Sequence, residues 1–172
     1  MMKLKQLESY LSSVETFANP KIELEQYPTS AHIAARMLYT AESTFEDIED
    51  KCVMDLGCGG GILGLAAAML GAGQVIGVDV DPEAIAIAQA NAEELEIDME
   101  FVLNNLQASA LRSGTVGEGA PRVGAGLPMV DTVISNPPFG TREKGIDMVF
   151  LHTACSVATT AVYSLHKTST RD

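Results

Sequence analysis

A glycine-rich loop between a strand-like and a helix-like segment constrains the fold of this chain more than any other feature. Residues 52–56 (Cys-Val-Met-Asp-Leu) are typical of a buried strand, and residues 62–70 are typical of a helix. Between them, residues 57–61 read Gly-Cys-Gly-Gly-Gly. Glycine lets the backbone turn sharply and lets a ligand approach the main chain closely. The three segments therefore predict a strand–loop–helix unit that binds a nucleotide-like ligand beyond the carboxyl end of the strand.

Strands and helices are predicted to alternate through the rest of the chain. Four further segments have the apolar composition of strands: residues 75–79, 99–104, 130–135 and 161–165. The other predicted helices are amphipathic or follow a capping residue: residues 3–17, 31–42, 82–95 and 146–160. This alternation predicts an α/β protein with a mostly parallel sheet and helices on both faces. Because the chain ends soon after the fifth strand, we expect either a partner that covers this edge or a shortened form of a longer domain.

Length and composition suit one domain with a sizeable core. The chain has 172 residues, of which 47% are apolar and 20% charged. Within the single domain, residues 1–45 are predicted to be a helical segment. Residues 113–128 hold five glycines and two prolines, so we expect a flexible loop there. No apolar run approaches the ~20 residues that a membrane span requires, and no membrane association is predicted.

The cysteines and histidines form no pattern typical of a metal site. Cys52, Cys58 and Cys155 are odd in number and include no Cys-x-x-Cys pair. This pattern argues for a reducing compartment and against both disulfides and structural zinc. The three histidines are scattered along the chain. We therefore predict no bound metal.

The net charge of −12 argues against autonomous binding to nucleic acid. The charge is unevenly distributed, because basic residues outnumber acidic ones from Gly140 onward. The basic residues of this part are Arg142, Lys144, Lys167 and Arg171. They can face a phosphate backbone or belong to a mixed solvated surface, and the sequence favours neither interpretation.

A second motif follows the predicted strand at residues 130–135. Asn136-Pro137-Pro138-Phe139 places an amide, two rigid residues and an aromatic ring directly after that strand. An exocyclic amino nitrogen conjugated to a ring is a poor nucleophile, and the Asn136 side-chain oxygen and the Pro137 carbonyl can accept its two hydrogens. The prolines fix the backbone and offer no competing N–H donors. Phe139 can stack on a base, a contact worth roughly 1–3 kcal/mol. The motif indicates methyl transfer to a planar amino nitrogen.

The glycine loop alone does not decide between two cofactors. Gly59, Gly61 and Gly64 also satisfy the Gly-x-Gly-x-x-Gly spacing of dinucleotide-binding folds. Asp79, at the end of the second predicted strand, can accept both ribose hydroxyls of adenosine in either cofactor. Two features favour S-adenosylmethionine. Asp55 can engage its methionine end, directly or through water, and a dehydrogenase does not explain the Asn-Pro-Pro-Phe motif.

Residues 55–61 and 136–139 together resemble the motifs of the class I S-adenosylmethionine-dependent amino-methyltransferases. Residues 24–29 (Leu-Glu-Gln-Tyr-Pro-Thr), 32–39 (His-Ile-Ala-Ala-Arg-Met-Leu-Tyr) and 161–167 narrow this resemblance to the methyltransferase-like protein five family. It covers nearly the whole chain. The resemblance implies a Rossmann-like class I methyltransferase fold and methylation of adenine N6 at one site of small-subunit ribosomal RNA.

The resemblance also implies roles for individual residues. Those implied to contact S-adenosylmethionine lie in the N-terminal segment and around the glycine loop: Gln26, Thr29, Gly57, Gly60 and Ile62. Asp79 would bind the cofactor's ribose, and Asn105 would lie near its adenine. Residues 136–139 would hold the target base. Asn105 stands where the family usually has an aspartate, and its amide oxygen can still accept a hydrogen bond from the adenine amino group.

The family further implies a partner. A small zinc-binding activator subunit, shared among methyltransferases, would dock on the exposed edge of the third strand, and the protein would occur in nucleus and cytoplasm. Residues 113–128 are longer than the family's connection. Family members also continue past Asp172 with an antiparallel pair of strands that completes a seven-stranded sheet, and this chain does not contain that pair.

Two alternative functions stay open from the sequence. Asn-Pro-Pro-aromatic also suits a glutamine side-chain amide in a protein or an amino group in DNA. A shortened chain can instead be a non-catalytic module that holds the cofactor or the activator.

Overall fold

Five parallel strands form one sheet in the part of the chain that the computed structural model describes, residues 2–107 and 126–166. The strands are β1 (Cys52–Leu56), β2 (Gln74–Asp79), β3 (Glu100–Leu103), β4 (Val130–Ser135) and β5 (Ala158–Ser164). The helices are α1 (Leu4–Leu11), α2 (Ala31–Phe45), α3 (Ile62–Met69), α4 (Pro82–Glu94) and α5 (Ile146–Val157), with a 3-10 turn at Ile22–Leu24. The predicted α/β fold is confirmed.

The strand order is β3-β2-β1-β4-β5, with β1 in the centre. The chain runs outward from β1 through β2 to β3 and then returns to the other side of β1 as β4. Met54 of β1 lies opposite Ile76 of β2 and Val133 of β4. The order therefore reverses between β1 and β4, and ligands of open α/β sheets bind beyond the carboxyl ends of the strands at such a point.

Two hydrophobic clusters cover the two faces of the sheet. On one face, Leu7, Leu38 and Leu65 of α1, α2 and α3 pack with Val53 and Ile134. The opposite face has its own set: Met54, Val78, Val133, Ala154 and Val157, the last two from α5. Successive strand residues point to opposite faces, so Val53 and Met54 belong to different clusters. Helices on both faces, as predicted, hold the central strands fully buried.

Several element boundaries differ from the prediction, and the end of α1 differs most. Helix α1 ends at Leu11 instead of residue 17, because the hydroxyls of Ser12 and Ser13 donate to the carbonyls of Glu8 and Tyr10 and compete with helical bonds. Strand β5 begins at Ala158, directly after α5, because its pairing with β4 starts there. The earlier end of α1 frees residues 14–17 to lie across the sheet edge that carries the site.

The connection between α2 and β1 is tied to two strands through Asp47. The Tyr163 hydroxyl donates to Asp47 Oδ2 at 2.5 Å, and the Thr132 hydroxyl donates to the Asp47 carbonyl at 2.7 Å. Burial and the neighbouring carboxylate raise the pKa of Tyr163, so this phenol stays protonated. Tyr163 also packs against Phe45, with ring centroids 6.3 Å apart. Tyr163 therefore both packs against α2 and fixes the connection that leads to β1.

Part of the predicted flexible loop falls outside the described residues. Residues 113–125 belong to that part. Leu127 is 2% exposed and packs in the cluster beneath α5. None of the helices within residues 2–107 and 126–166 is long and apolar enough to span a membrane.

Candidate active site

A cavity of about 210 Å³ opens beyond the carboxyl ends of β1, β2 and β4. The N-terminal segment supplies another part of its wall through residues 14–17 and 23–29. Eleven of the predicted site residues line it: Gln26, Thr29, Asp55, Gly57, Gly59, Gly60, Ile62, Asp79, Asn105, Asn136 and Pro138. Residues predicted to bind the cofactor and residues predicted to hold a base therefore share one cavity.

The glycine loop, residues 57–61, turns through backbone conformations that favour glycine. Gly57, Gly59 and Gly61 have φ angles of 75°, 52° and 86°. The N–H groups of Gly57 and Cys58 donate to the Val78 carbonyl at 2.8 and 2.9 Å, so β2 holds the start of the loop. A Cβ at Gly57 would lie 2.7 Å from the ring of Phe150. The loop thus needs glycine for both its conformation and its packing.

Asp55 is a fully buried carboxylate with one unsatisfied oxygen. Its Oδ2 accepts the Gly64 N–H at 2.9 Å, while Oδ1 has no hydrogen-bond partner among the described residues. Burial is the main cause that raises the pKa of Asp55 to about 7. Because this carboxylate lines the cavity, it fits a cationic group such as the ammonium of a methionine moiety.

Asp79 lies at the end of β2 and is held by two backbone donors. Its Oδ2 accepts the Gly59 N–H and its Oδ1 the Asp81 N–H, both at 2.9 Å. Burial raises the pKa of Asp79, although these donors lower it in part. Each carboxylate oxygen has a second lone pair, which can accept a ribose hydroxyl. The geometry fits the predicted role of Asp79.

Asn105, which the resemblance implies to lie near the cofactor's adenine, follows β3. Its Oδ1 accepts the Gln107 N–H at 3.1 Å, so the amide caps the turn that follows β3. The residue lines the cavity beside Leu106. A second lone pair on Oδ1 can accept the amino group of an adenine.

The Asn-Pro-Pro-Phe motif follows β4 and enters the cavity with two of its four residues. Asn136 Nδ2 donates to the Thr29 hydroxyl at 2.8 Å, which leaves Oδ1 to accept from a substrate amine. Pro138 lines the cavity as well. Pro137 is buried and Phe139 is partly buried, and neither lines the cavity. Thr29, predicted to contact the cofactor, thus also orients the predicted catalytic amide.

Two side chains that hold this site were missed by the sequence analysis. Asn91 of α4 is 3% exposed; its Nδ2 donates to the carbonyls of Gly60 and Glu15, and its Oδ1 accepts the Glu15 N–H. A polar residue on the apolar face of a helix was the available signal. Glu25 is 6% exposed and binds backbone N–H groups after Asn136. Its partners lie over a hundred residues away in sequence, so no local pattern could indicate them.

Known proteins resemble this chain in sequence and in fold. The family model for ribosomal protein L11 methyltransferase (PrmA) matches residues 28–117. The rRNA N(6)-adenosine-methyltransferase METTL5 of Danio rerio is 52% identical over 172 residues, covering 99% of this chain and 77% of that protein. The chain belongs to the METTL5 family. Its Drosophila melanogaster relative, Mettl5, is 45% identical over 99% of this chain and 75% of that protein.

Solved structures share the fold of this chain. A putative RNA methyltransferase, PH1948 from Pyrococcus horikoshii, superposes with a TM-score of 0.79 at 36% identity, over 99% of this chain and 76% of that one. The fold also occurs in the Thermus thermophilus 16S rRNA N2 G1207 methyltransferase RsmC, solved with AdoMet and guanosine, at a TM-score of 0.53 and 20% identity. S-adenosylmethionine is the cofactor of this methyltransferase family, and the carboxylates of Asp55 and Asp79 fit its ammonium and ribose.

We expect Gly57→Ala to destabilise the chain more than Gly126→Ala. Both glycines have left-handed backbones, with φ of 75° and 72°, so each substitution incurs about 1–2 kcal/mol of strain. Of these two glycines, Gly57 faces the Phe150 ring, which adds roughly 1–3 kcal/mol of overpacking, whereas none of the described residues lies within 4 Å of a Cβ at Gly126. Urea denaturation measures the two free energies of unfolding. Equal losses would show that the contact with Phe150 does not constrain the loop.

Cofactor affinity should fall as the pH drops below about 7. The pKa of Asp55 is raised to about 7, so acidification neutralises the carboxylate that receives the cofactor's ammonium. The expected loss approaches tenfold per pH unit below that value. Calorimetric titration with S-adenosylmethionine at several pH values measures this dependence.

Asp55→Asn is the control for titration of the cofactor's own amino group. The Asp55→Asn variant should bind S-adenosylmethionine weakly at every pH. Its affinity should not show the further loss below about pH 7 that we attribute to protonation of Asp55. Since the folded state holds the Asp55 proton more tightly than the unfolded state, Asp55 makes the native chain less stable as pH rises towards 7. The variant should therefore melt at a higher temperature than the parent at about pH 8. If the cofactor affinity of Asp55→Asn depends on pH in the same way as that of the parent, the role of Asp55 is contradicted.

Proposed function

We propose that this chain transfers the methyl group of S-adenosylmethionine to N6 of adenosine in small-subunit ribosomal RNA. The observation that carries the proposal is the position of Asn136, which shares a cavity with Asp55 and Asp79. A substrate base that contacts Asn136 and a cofactor that contacts Asp55 and Asp79 can therefore occupy the same cavity. The identity to METTL5 proteins named rRNA N(6)-adenosine-methyltransferases supports the choice of substrate.

The chain's contribution to the reaction is positioning. Asn136 Oδ1 accepts one hydrogen of the adenine amino group and draws the nitrogen lone pair out of conjugation, whereas Pro137 is buried and does not line the cavity. Thr29 holds the Asn136 amide in the orientation that presents its oxygen. When bound, the cofactor supplies the methyl group on an activated sulfonium. Asp55 and Asp79 would hold this cofactor so that its methyl group faces N6, and the methylated N6 would release one proton to solvent. In-line placement therefore supplies most of the rate enhancement.

The substrate RNA is proposed to approach over the loop that follows the motif. Arg142 and Lys144 are exposed there, next to the mouth of the cavity at Glu143. Their charges can contact phosphates near the target adenosine. The net charge of −12 nevertheless makes a second, more basic RNA-binding component necessary for strong binding.

We further propose a heterodimer with a small zinc-binding activator subunit at β3. This strand lies at one edge of the sheet, and an edge strand presents unpaired N–H and C=O groups. Leu103, at its end, is 60% exposed. Strand addition by a partner would pair the edge and cover this side chain. The same family assignment leads us to propose localisation in nucleus and cytoplasm, where ribosomal RNA is made and used.

Asn136→Ala should lower methyl transfer by orders of magnitude while cofactor affinity stays within a few-fold. The substitution removes one acceptor of the amine hydrogens and leaves Asp55 and Asp79 in place. A tritium-methyl assay on ribosomal RNA measures transfer, and calorimetry measures cofactor affinity. Parallel assays on DNA and on a glutamine-containing protein test the other substrates.

The control for Asn136→Ala is Asn136→Asp, which keeps the shape and one acceptor but loses the bond from Nδ2 to Thr29. It should retain more activity than alanine only if the acceptor itself matters. Near-parental transfer by Asn136→Ala would contradict the proposed mechanism. Transfer to glutamine or DNA, with none to ribosomal RNA, would contradict the proposed substrate.

Leu103→Glu should prevent the activator from stabilising the chain. A partner that binds only the native state raises the melting temperature by mass action. A charge at the end of the β3 edge disfavours strand addition there. Met129→Glu is the control, because Met129 is 52% exposed and lies before β4, away from that edge. A melting temperature that rises equally for both variants on addition of the activator would place the partner elsewhere.

A further inference from the structure

One segment of the N-terminal region, residues 21–29, contacts both sides of the cavity; we call it the strap. On the β2 side, Lys21 Nζ and Gln26 Nε2 donate to the Asp81 carboxylate at 2.8 and 2.6 Å. On the β4 side, the Thr29 hydroxyl accepts from Asn136. The strap therefore connects the end of the cavity that binds ribose with the end that holds the amine acceptor.

Glu25 makes the remaining contact between the strap and the β4 side. Its Oε2 accepts the Phe139 N–H at 2.9 Å, and its Oε1 accepts the Arg142 N–H at 2.8 Å. Burial alone would raise the pKa of Glu25, but the backbone donors of Arg142 and Phe139 outweigh it and hold the pKa below its usual value. The carboxylate is therefore ionised and bound on both oxygens at neutral pH.

These bonds complete the attachment of the Asn-Pro-Pro-Phe motif. Prolines lack an N–H, so Phe139 provides the first backbone donor after Asn136. That donor is bound by Glu25, while the Asn136 side chain is bound by Thr29. Both ends of the motif are thus fixed by the same short strap.

Glu25 also occupies an unfavourable backbone conformation. Its φ is 50°, in the left-handed region, where a residue other than glycine incurs roughly 1–2 kcal/mol of strain. The two charge-assisted bonds to backbone N–H groups offset this strain. Position 25 therefore carries a glutamate although glycine would adopt this backbone conformation with less strain.

We propose that Glu25 is a positioning residue for methyl transfer, whose carboxylate fixes residues 136–142 and so places the amine acceptor Asn136 relative to the cofactor. The inference rests on the proposed function. Glu25 acts through the backbone of Phe139 and Arg142 and needs no contact with substrate.

Glu42 provides a matched control within the same chain. It is also 6% exposed, and its Oε2 accepts the N–H groups of Ile48 and Glu49 at 3.1 and 2.9 Å. This carboxylate lies at the end of α2 and does not line the cavity. Its removal disrupts the same kind of buried carboxylate–backbone contact without touching the strap.

The experiment compares Glu25→Ala and Glu25→Gln with Glu42→Ala. Hydrogen–deuterium exchange should accelerate over residues 139–142 in the Glu25 variants only, and over residues 48–49 in the Glu42 variant only. The single-turnover rate on ribosomal RNA should fall roughly 10- to 100-fold in Glu25→Ala, as expected for a misplacement on the ångström scale. It should fall less in Glu25→Gln, whose Oε1 can keep one of the two bonds.

Cofactor affinity separates positioning from general destabilisation. In both Glu25 variants, the dissociation constant of S-adenosylmethionine should stay within roughly threefold of the parent while the rate falls, because the loss is confined to the transition state. Glu42→Ala should melt at a lower temperature and keep the parental rate. If Glu25→Ala is too unstable to purify, Glu25→Gln carries the same comparison.

Two results would overturn the inference. One is unchanged exchange over residues 139–142 in the Glu25 variants, and the other is an equal loss of rate in Glu42→Ala. Failure of the proposed function has a different signature. The parent itself would then not methylate ribosomal RNA, while the exchange comparison would still decide whether Glu25 fixes the loop.

Discussion

Parallel pairing of β1 with both β2 and β4 is the constraint on which the rest of this structure depends. It brings the carboxyl ends of three strands to one edge, although β4 lies far from β1 and β2 in sequence. Asp55 and Asp79 then approach the motif that begins at Asn136. The Ser135 hydroxyl donates to the Leu56 carbonyl at 2.6 Å and joins the last residues of β4 and β1 directly. Without this strand order the two halves of the site would not share a cavity.

Buried carboxylates bound to backbone N–H groups fix the loops around that cavity. Asp79 accepts from the glycine loop, and Glu25 accepts from the loop that follows Asn136. Because main-chain donors have no alternative rotamers, such bonds position a loop without a long, flexible cationic side chain. Asp55 is the exception, since one of its oxygens has no partner in the described part of the chain. The carboxylates of Asp79 and Glu25 already have hydrogen-bond donors on both oxygens. A cationic ligand therefore gains the most interaction energy at Asp55, whose Oδ1 has no donor among the described residues.

Local signals in the sequence predicted the parallel sheet, the glycine loop, Asp55, Asp79 and Asn136. The family resemblance, and not a local signal, implied the other cavity residues, such as Gln26, Thr29 and Asn105. Alternating apolar segments predict the strands, and glycines or an acid at strand ends predict the loops that bind ligands. The sequence did not predict the early end of α1, because the competing bonds of Ser12 and Ser13 outweigh helical periodicity over a short stretch. It also missed Asn91 and Glu25, whose roles arise from contacts between distant segments. Such contacts follow from the assembled fold and leave no spacing pattern in the sequence.

The ranges matched by different relatives divide the site into two parts. The ribosomal protein L11 methyltransferase model matches residues 28–117, which include Asp55 and Asp79 and stop before β4. METTL5 relatives match almost the whole chain. Glu25 precedes residue 28 and its partner Phe139 follows residue 117, so both members of this contact lie outside the range that the L11 model matches. The shared part holds a cofactor that many methyltransferases use. The flanking segments contact each other across the cavity and bring Asn136 to the part of the chain that carries Asp55 and Asp79.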